Sequence, residues 1–316
     1  MTDTKQRRKG ASVTGVLCIS VSAPEAVDSV EFYELCWGLK KVGTREDGTQ
    51  LLRGAGPEHH ILELRNGPRG INRIEFAASS KDSVQEIYEN ALRRGAVALA
   101  APGEFDRVEL GWGFDLLDPD RRVLRVSCGV QQREFDAGAA IDSPTKISHV
   151  VLNTLDPEAI QQFYVDVLGF DVSDRLEDQM IFVRCGKAGH HQIAFFKNTH
   201  AALNHISFEM DTQKAVNKAI ERLSAKGHEI RWGTGCHGIG RVQFTYFEDP
   251  NGFAIEYSWY TEGFDPASHV AQTWKRSPEI MDAWGTANTP TPNFRKTMAG
   301  EPDPGYQAEP EHGHSI

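Results

Sequence analysis

The sequence contains few cysteines, and no two of them form a Cys-x-x-Cys pair. Five cysteines are scattered over 316 residues: Cys18, Cys36, Cys128, Cys185 and Cys236. A disulfide framework normally shows an even set at regular spacings in a short secreted chain. The scattered, odd set therefore predicts a reduced, cytoplasmic protein.

The sequence also lacks long apolar and long basic runs. No stretch approaches the roughly 20 apolar residues of a membrane span, and residues 1–10 lack the apolar core of a secretory signal. The basic run Arg7-Arg8-Lys9 is short, and the formal net charge of -10 opposes a phosphate-binding surface. We therefore expect no membrane and no nucleic acid among the partners of this soluble protein.

The chain is long enough for two domains of ordinary size, and it repeats itself. The apolar run 15–21 matches 146–152, and the strand-like segment 71–76 matches 203–208. A helix pattern follows each of these runs, and turn residues separate short strands rich in Val, Ile and Phe. Each half of about 130 residues thus predicts the order βαβββ twice over, which is an α+β fold.

Composition sets the expected boundaries. We expect a flexible N-terminus (1–12), a first module without metal ligands (13–130), a linker (131–144), a second module with the metal site (145–262) and an extension (263–316).

The last 15 or so residues of that extension are rich in Pro, Gly and charge, so we expect them to be disordered. His312 and His314 lie there. Their tract is a weak metal motif, and we interpret it as solvated chain.

Three residues of the second half form a candidate metal-ligand set. His149 and His205 stand in the middle of strand-like segments, and Glu256 lies in the last strand-like segment. Two imidazoles and one carboxylate suit a non-haem Fe(II) site that keeps positions open for substrate and O2. The matching positions of the first half hold Cys18, Arg73 and Arg125. Because two arginines would repel a divalent cation, the sequence predicts one metal site, in the second half.

Spacing supports this comparison of the halves. The three positions are 56 and 51 residues apart in the second half, and 55 and 52 apart in the first. Taken singly, a strand histidine is more often a buried, hydrogen-bonded residue than a ligand. The joint difference at three matched positions favours the metal interpretation.

The run from Gly235 to Glu256 carries a family resemblance. It places His237, Tyr246 and an Asp-Pro-Asn-Gly turn before Glu256. This order resembles the signature of the type I extradiol ring-cleaving dioxygenases of the vicinal oxygen chelate superfamily, nearest to the catechol 2,3-dioxygenase and homoprotocatechuate 2,3-dioxygenase type. It departs at Thr245, where the family usually has an aliphatic residue. The resemblance implies two tandem modules over residues 13–262, each an open mixed β-barrel of paired βαβββ motifs.

The resemblance also implies roles for matching residues. His149, His205 and Glu256 would hold Fe(II), and Mn(II) suits the same ligands. His191 matches an acid–base histidine beside the O2 site, and Tyr246 matches a tyrosine that hydrogen-bonds a substrate oxygen. His237 matches a histidine near the bound diol.

The implied activity is the insertion of both atoms of O2 into a catechol-type diol, with ring cleavage next to the hydroxyls. This reaction belongs to the catabolism of aromatic compounds. The resemblance further implies a homo-oligomer.

Several alternatives stay open at this point. The doublet His190-His191 recurs as His59-His60 in the module without ligands, so it could have a structural role in both halves. Tyr246 could be a core phenol, and His237 could cap a glycine-rich loop. Arg184 and Arg241 could bind a substrate carboxylate or simply be exposed.

Two other functions also stay open. One is another metal-dependent chemistry of the superfamily, such as that of a 4-hydroxyphenylpyruvate dioxygenase or an isomerase. Glyoxalase-like isomerases more often assemble their ligands across modules, whereas one module here carries all three. The other is a small-ligand binding or resistance protein, which needs no metal triad.

Overall fold

The structure is a computed structural model that describes residues 10–105, 111–134, 142–186 and 189–306. Most of the expected flexible N-terminus, half of the expected linker, and residues 307–316 of the expected disordered end, with His312 and His314, lie outside the described residues. The first residues of that end are ordered, because Asp303 is buried and hydrogen-bonded to the first module.

The first half forms a mixed sheet of eight strands. The strands are β1 (Gly15–Ala23), β2 (Lys40–Thr44), β3 (Gln50–Arg53), β4 (Leu62–Asn66), β5 (Gly70–Ala77), β6 (Gly103–Glu104), β7 (Trp112–Leu117) and β8 (Val123–Cys128). Their order is β2-β3-β4-β1-β5-β8-β7-β6, with β1 and β5 antiparallel at the centre and the pairs β1–β4 and β5–β8 parallel.

Helices follow the first strand of each motif in this half. The short helix α1 (Val30–Phe32) lies between a 3-10 turn (Ala26–Ser29) and a π-helical turn (Tyr33–Trp37). The longer helix α2 (Lys81–Arg93) follows β5. Each motif of the first half therefore has the predicted order βαβββ.

The second half repeats this arrangement. Its strands are β9 (Lys146–Thr154), β10 (Asp171–Leu176), β11 (Met180–Arg184), β12 (Ile193–Lys197), β13 (Ala202–Glu209), β14 (Trp232–His237), β15 (Val242–Glu248) and β16 (Ala254–Tyr260). Helices α3 (Pro157–Leu168) and α4 (Gln213–Ala225) occupy the positions of α1 and α2. The strand order is β14-β15-β16-β13-β9-β12-β11-β10-β17, where β17 (Gln272–Trp274) belongs to the C-terminal extension. The predicted α+β fold of paired βαβββ motifs is confirmed.

Local chemistry explains where these helices begin and end. The Asp156 carboxylate accepts hydrogen bonds from the backbone N–H groups of Glu158 and Ala159 at the start of α3. Gly169, at φ 79°, ends that helix in a left-handed conformation that glycine adopts at little cost. Helix α3 is thereby held between β9 and β10.

The central strand β9 is buried on both faces and so positions the site. Val150 and Leu152 belong to the main hydrophobic core, whereas Val151 belongs to a smaller cluster with Phe182. Because side chains alternate along a strand, His149 shares the face of Val151. That face of the second sheet holds the candidate metal ligands.

Reciprocal hydrogen bonds join the two modules. The Tyr33 hydroxyl donates to Asp249 Oδ2 at 2.8 Å, and the Tyr164 hydroxyl donates to Asp118 Oδ2 at 3.4 Å. Each aspartate opens the turn before the last strand of its module. The Asp-Pro-Asn-Gly turn of the sequence signature thus has a structural role at the module interface.

The C-terminal extension packs on both modules. It contributes β17 (Gln272–Trp274), α5 (Pro278–Met281) and α6 (Pro292–Ala299), and β17 pairs with β10 in parallel. The Asp303 carboxylate accepts hydrogen bonds from the Ile71 backbone N–H and from Arg122 Nε. Within the described ranges, no helix combines the length and apolar character needed to cross a membrane.

Candidate metal centre

Three strands bring the predicted metal ligands together. His149 lies on β9, His205 on β13 and Glu256 on β16, and these strands are neighbours in the sheet. The Nε2 atoms of His149 and His205 lie 3.1 and 3.4 Å from Glu256 Oε2, and 3.4 Å from each other. Neighbouring ligands of an ion with bonds of about 2.1 Å at right angles are about 3 Å apart. The three donor atoms therefore have the mutual spacing of ligands on one face of an ion.

A contact at Nδ1 orients the imidazole of each candidate histidine ligand. His205 Nδ1 donates to Asn204 Oδ1 at 2.8 Å, and Asn204 is itself held by Asn153 Oδ1 at 2.9 Å. His149 Nδ1 lies 3.3 Å from the Ser148 hydroxyl. Partners of this kind fix the ring and direct the Nε2 lone pair of each histidine to the centre of the triad.

The surroundings of the Glu256 carboxylate indicate whether the triad can hold a cation. Its side chain is fully buried, and neither carboxylate oxygen accepts a well-aligned hydrogen bond from the described residues. Burial alone raises the pKa of Glu256, but the adjacent imidazoles of His149 and His205 outweigh it and hold the pKa well below its usual value. A buried carboxylate that is ionised and lacks hydrogen bonds is costly unless a cation lies beside it.

The state of His205 agrees with this fit. Burial lowers the pKa of His205, with the Glu256 carboxylate acting in the opposite direction. A neutral imidazole is the form that binds a metal. The donor set of this site thus suits a divalent cation such as Fe(II) or Mn(II).

His191 lies beside the triad, in the segment between β11 and β12. Its ring centroid is 4.4 Å from that of His149 and 5.0 Å from that of Phe182. Burial lowers the pKa of His191 well below its usual value, and the neighbouring histidines lower it further. The side chain is therefore neutral at pH 7 and able to accept a proton.

A chain of hydrogen bonds continues outward from His191. His191 Nδ1 lies 3.1 Å from His190 Nδ1, and His190 Nε2 lies 3.0 Å from Asp174 Oδ2. Asp174 carries no signal in the sequence, because it stands on β10, distant in the chain from the doublet it contacts.

Tyr246 and His237 lie next to His205. The Tyr246 hydroxyl is 3.3 Å from His237 Nε2 and 3.5 Å from His205 Nε2. His237 Nδ1 is 3.0 Å from the carbonyl oxygen of Met281, which can only accept, so Nδ1 carries the proton and Nε2 accepts from Tyr246. Burial and the Glu256 carboxylate raise the pKa of Tyr246 well above its usual value, so its hydroxyl stays a donor.

The matching centre of the first module holds an ion-pair network. Cys18, His60 and Glu63 come close enough there to resemble a ligand set. However, Arg73 Nη2 lies 2.9 Å from both oxygens of Glu63, and Arg45 Nη2 lies 2.7 Å from one of them. The guanidinium groups of Arg73 and Arg45 supply the positive charge beside Glu63, whereas Arg125 pairs with Asp115.

The two arginines considered as carboxylate binders have protein partners. Arg184 Nη1 donates to the Val172 carbonyl oxygen at 3.2 Å and to the Ser173 hydroxyl at 3.1 Å. Arg241 Nε pairs with Glu262 at 2.9 Å near the surface.

Comparisons with known proteins agree with this site. Residues 146–257, which include the whole triad, match the family described as the Glyoxalase/Bleomycin resistance protein/Dioxygenase superfamily. Metapyrocatechase 2 from Cupriavidus necator is 32% identical over 46% of this chain and 52% of its own length. An iron-dependent extradiol dioxygenase from Rhodococcus jostii is 29% identical over 44% of this chain and 50% of its own length. The chain thus matches about half the length of these curated relatives.

A solved structure is similar over nearly the whole chain. It is a Mn(II)-bound glyoxalase from Novosphingobium aromaticivorans, 30% identical, with a TM-score of 0.85 over 94% of this chain and 97% of that one. The match of fold and sequence along both modules, together with the family match over the triad, identifies the relationship. The chain belongs to the Glyoxalase/Bleomycin resistance protein/Dioxygenase superfamily.

Proposed function

We propose that this protein is an Fe(II)-dependent extradiol dioxygenase that cleaves the ring of a catechol-type diol next to its hydroxyls. The observation that carries the proposal is the buried triad of His149, His205 and Glu256, with three candidate catalytic side chains around it. The names of the curated relatives, a metapyrocatechase and an iron-dependent extradiol dioxygenase, support the same reaction class.

The triad sets the charge of the site. One carboxylate and two neutral imidazoles would hold a divalent ion with a net charge near +1, which a catechol monoanion brings close to neutral in a buried pocket. A bound Fe(II) or Mn(II) ion would supply the redox chemistry that lets triplet O2 react with a closed-shell aromatic diol. Fe(II) is our choice, and Mn(II) suits the same three ligands.

His191 is the proposed acid–base residue. A diol must lose a proton to bind as an anion, and the later steps need a proton returned to oxygen. A buried imidazole that is neutral at rest can accept that proton and then donate it. Its ring lies against the ring of His149, so the proton stays beside the reacting groups.

Tyr246 is the proposed hydrogen-bond donor to the reacting oxygen. Its hydroxyl lies 3.3 Å from His237 Nε2, which accepts its single proton and holds the phenol in place. When a diol binds, this proton would turn from His237 to the substrate oxygen and stabilise an oxyanion as it develops. His237 would hold this donor and border the bound diol.

The walls of the site favour a substituent without charge. Trp232 stacks on Tyr246 with centroids 5.0 Å apart, and Phe182 lies against His191. Arg184 and Arg241 are engaged by protein groups. We therefore propose alkyl- or aryl-substituted catechols as better substrates than carboxyalkyl catechols.

A panel of catechols tests the proposal. The full chain is purified without O2, loaded with Fe(II) and scanned in the ultraviolet and visible range after air is admitted with plain, alkyl, aryl or carboxyalkyl catechol. We expect a yellow ring-fission product that requires iron and disappears in His205→Ala. Stoichiometric iron without product from any catechol would contradict the proposal.

Isomerisation is the second candidate, because the similar structure from Novosphingobium aromaticivorans is described as a glyoxalase. All three candidate ligands of this chain come from one module, which favours the dioxygenase. A substrate converted without uptake of O2 would favour the isomerase.

Compartment and assembly are also proposals. All five cysteines are free and buried, which suits a reducing compartment such as the cytoplasm. The homo-oligomer that the resemblance implies stays a prediction.

A further inference from the structure

The two histidine doublets of the modules are bonded alike but held by opposite charges. His190 Nδ1 lies 3.1 Å from His191 Nδ1, and His59 Nδ1 lies 3.1 Å from His60 Nδ1. In such a pair of neutral imidazoles, one Nδ1 carries the proton and the other accepts it. We call the first residue of each doublet, His190 or His59, its outer histidine. The groups bound to the Nε2 atoms of a doublet decide which Nδ1 is the donor.

A carboxylate holds the outer histidine of the second module. Asp174 Oδ2 lies 3.0 Å from His190 Nε2 and also accepts from Trp274 Nε1 at 3.0 Å, while Oδ1 accepts from the Gln272 N–H at 2.7 Å. Burial raises the pKa of Asp174, but these donors outweigh it and lower the pKa below its usual value. The ionised carboxylate only accepts, so His190 Nε2 carries a proton.

The proton positions of His190 and His191 follow from this. With its proton on Nε2, neutral His190 has a lone pair on Nδ1 and accepts from His191 Nδ1–H. His191 Nε2, on the far side of its ring from His190, then has a free lone pair.

An arginine holds the outer histidine of the first module. Arg133 Nη2 lies 3.1 Å from His59 Nε2, and a guanidinium only donates. His59 Nε2 therefore accepts, His59 Nδ1–H donates to His60, and His60 Nε2–H donates to Glu63 Oε1 at 3.1 Å. The hydrogen bonds run in the opposite direction, and the second histidine of this doublet has its proton on Nε2.

We propose that Asp174 is a positioning residue that acts through His190 to keep the proton of His191 on Nδ1 and to leave its Nε2 free as the proton acceptor. The recurrence of the doublet in the first module is then compatible with an acid–base role for His191 in the second. The doublet is a shared structural feature, and the partners of its Nε2 atoms give it opposite polarity in the two modules. The consequence for catalysis rests on the proposed function, because only there does His191 act as a base.

The tautomer of His191 can be measured directly. The full-length protein is labelled with 15N-histidine and loaded with diamagnetic Zn(II), and long-range 1H–15N spectra then distinguish the two neutral tautomers. The His191 signals are assigned by their loss in His191→Asn. Asp174→Asn removes the obligatory acceptor with little change of shape, because its amide can also donate to His190.

Trp274→Phe is the matched control. It removes another donor to the same Asp174 oxygen and loosens the same strand β17, but it leaves the carboxylate facing His190. We expect His191 to carry its proton on Nδ1 in the wild-type protein and in Trp274→Phe, and to show a mixture of tautomers in Asp174→Asn. In the Fe(II) protein, Asp174→Asn should lower kcat about 10- to 100-fold with unchanged iron content.

Other outcomes would separate the two claims. A His191 proton on Nε2 in the wild-type protein, or on Nδ1 in Asp174→Asn, would overturn the positioning role. Equal loss of the tautomer in Trp274→Phe would overturn it too, because the effect would then come from docking of the C-terminal strand. The expected tautomers in a protein that cleaves no catechol would uphold the positioning and overturn the proposed function.

Discussion

Replacing Glu256 by glutamine should remove the metal without unfolding the protein. The side chain is fully buried, and its Oε2 lies 3.1 and 3.4 Å from the two candidate imidazole ligands. Glutamine keeps the shape of the side chain but removes the negative charge that balances a divalent ion. The loss should therefore appear in metal affinity.

The magnitude follows from metal-binding energies. Apparent free energies for structural zinc sites of four ligands are roughly 10–16 kcal/mol. One ligand is thus worth about 3 kcal/mol, or about two orders of magnitude in Kd. Competition with a chelator of known affinity under nitrogen measures the Kd of Fe(II), and the metal content of the purified protein checks the stoichiometry.

Glu63→Gln is the matched control, because Glu63 is a buried carboxylate in the matching centre of the first module. It accepts from Arg73 at 2.9 Å through both oxygens, so its loss leaves a guanidinium without its main partner. Breaking a buried ion pair costs about 3–5 kcal/mol. We expect Glu63→Gln to lower the free energy of unfolding by that amount and to leave the iron content per folded chain unchanged.

The opposite pattern would refute this reasoning. If Glu256→Gln bound Fe(II) as tightly as the wild-type protein, the triad would not be the metal site. If folded Glu63→Gln lost the metal, the cluster of Cys18, His60 and Glu63 in the first module would be the site instead.

Three further outcomes follow from the structure. His191→Asn should lower kcat about 100- to 10,000-fold with iron retained, because general acid–base catalysis contributes that much. Steady-state kinetics on enzyme of known iron content measures this loss. A kcat within about tenfold of the wild-type value would contradict the role of His191. Tyr246→Phe should lower kcat about 10- to 100-fold, since it loses one hydrogen bond to a charged oxygen, and an unchanged kcat would make Tyr246 a core phenol. Burial raises the pKa of Glu63, but Arg73, His60 and Arg45 outweigh it and hold the pKa well below the usual 4.5. The Glu63 carboxylate therefore stabilises the fold above pH 4.5, and this contribution is lost as the pH falls through the lower folded pKa. Denaturant unfolding from neutral to acid pH should show the gap between wild type and Glu63→Gln shrinking in acid, and a constant gap would contradict the assignment.

The fold could be predicted because the sequence is duplicated. Each matched strand and turn pattern occurs once in each half of the sequence, so the prediction of the order βαβββ does not depend on any single pattern. Helix α4 lies where the sequence has a helix pattern after the run 203–208, and Gly227, just beyond its end, has φ 83°. The strand β17 escaped prediction, because Gln272–Trp274 is short and pairs through its backbone with β10.

The candidate ligands could be selected because their chemistry differs between matched positions. His149, His205 and Glu256 stand where the sibling module has a thiol and two guanidinium groups. Asp174 could not be found in this way, since its role depends on a hydrogen bond across strands to His190. The hydrogen bond from His237 Nδ1 to the Met281 carbonyl oxygen also depends on tertiary packing that leaves no pattern in the sequence.

The central claim is that the triad supports ring cleavage by O2, and labelled oxygen tests it most directly. The Fe(II) enzyme and its best catechol would be incubated under 18O2, with O2 uptake recorded and the product analysed by mass spectrometry. We expect one O2 to be consumed for each ring opened, with both labelled atoms in the product, and no reaction in His205→Ala. Conversion of a substrate without O2 uptake, or a product carrying a single labelled atom, would contradict it.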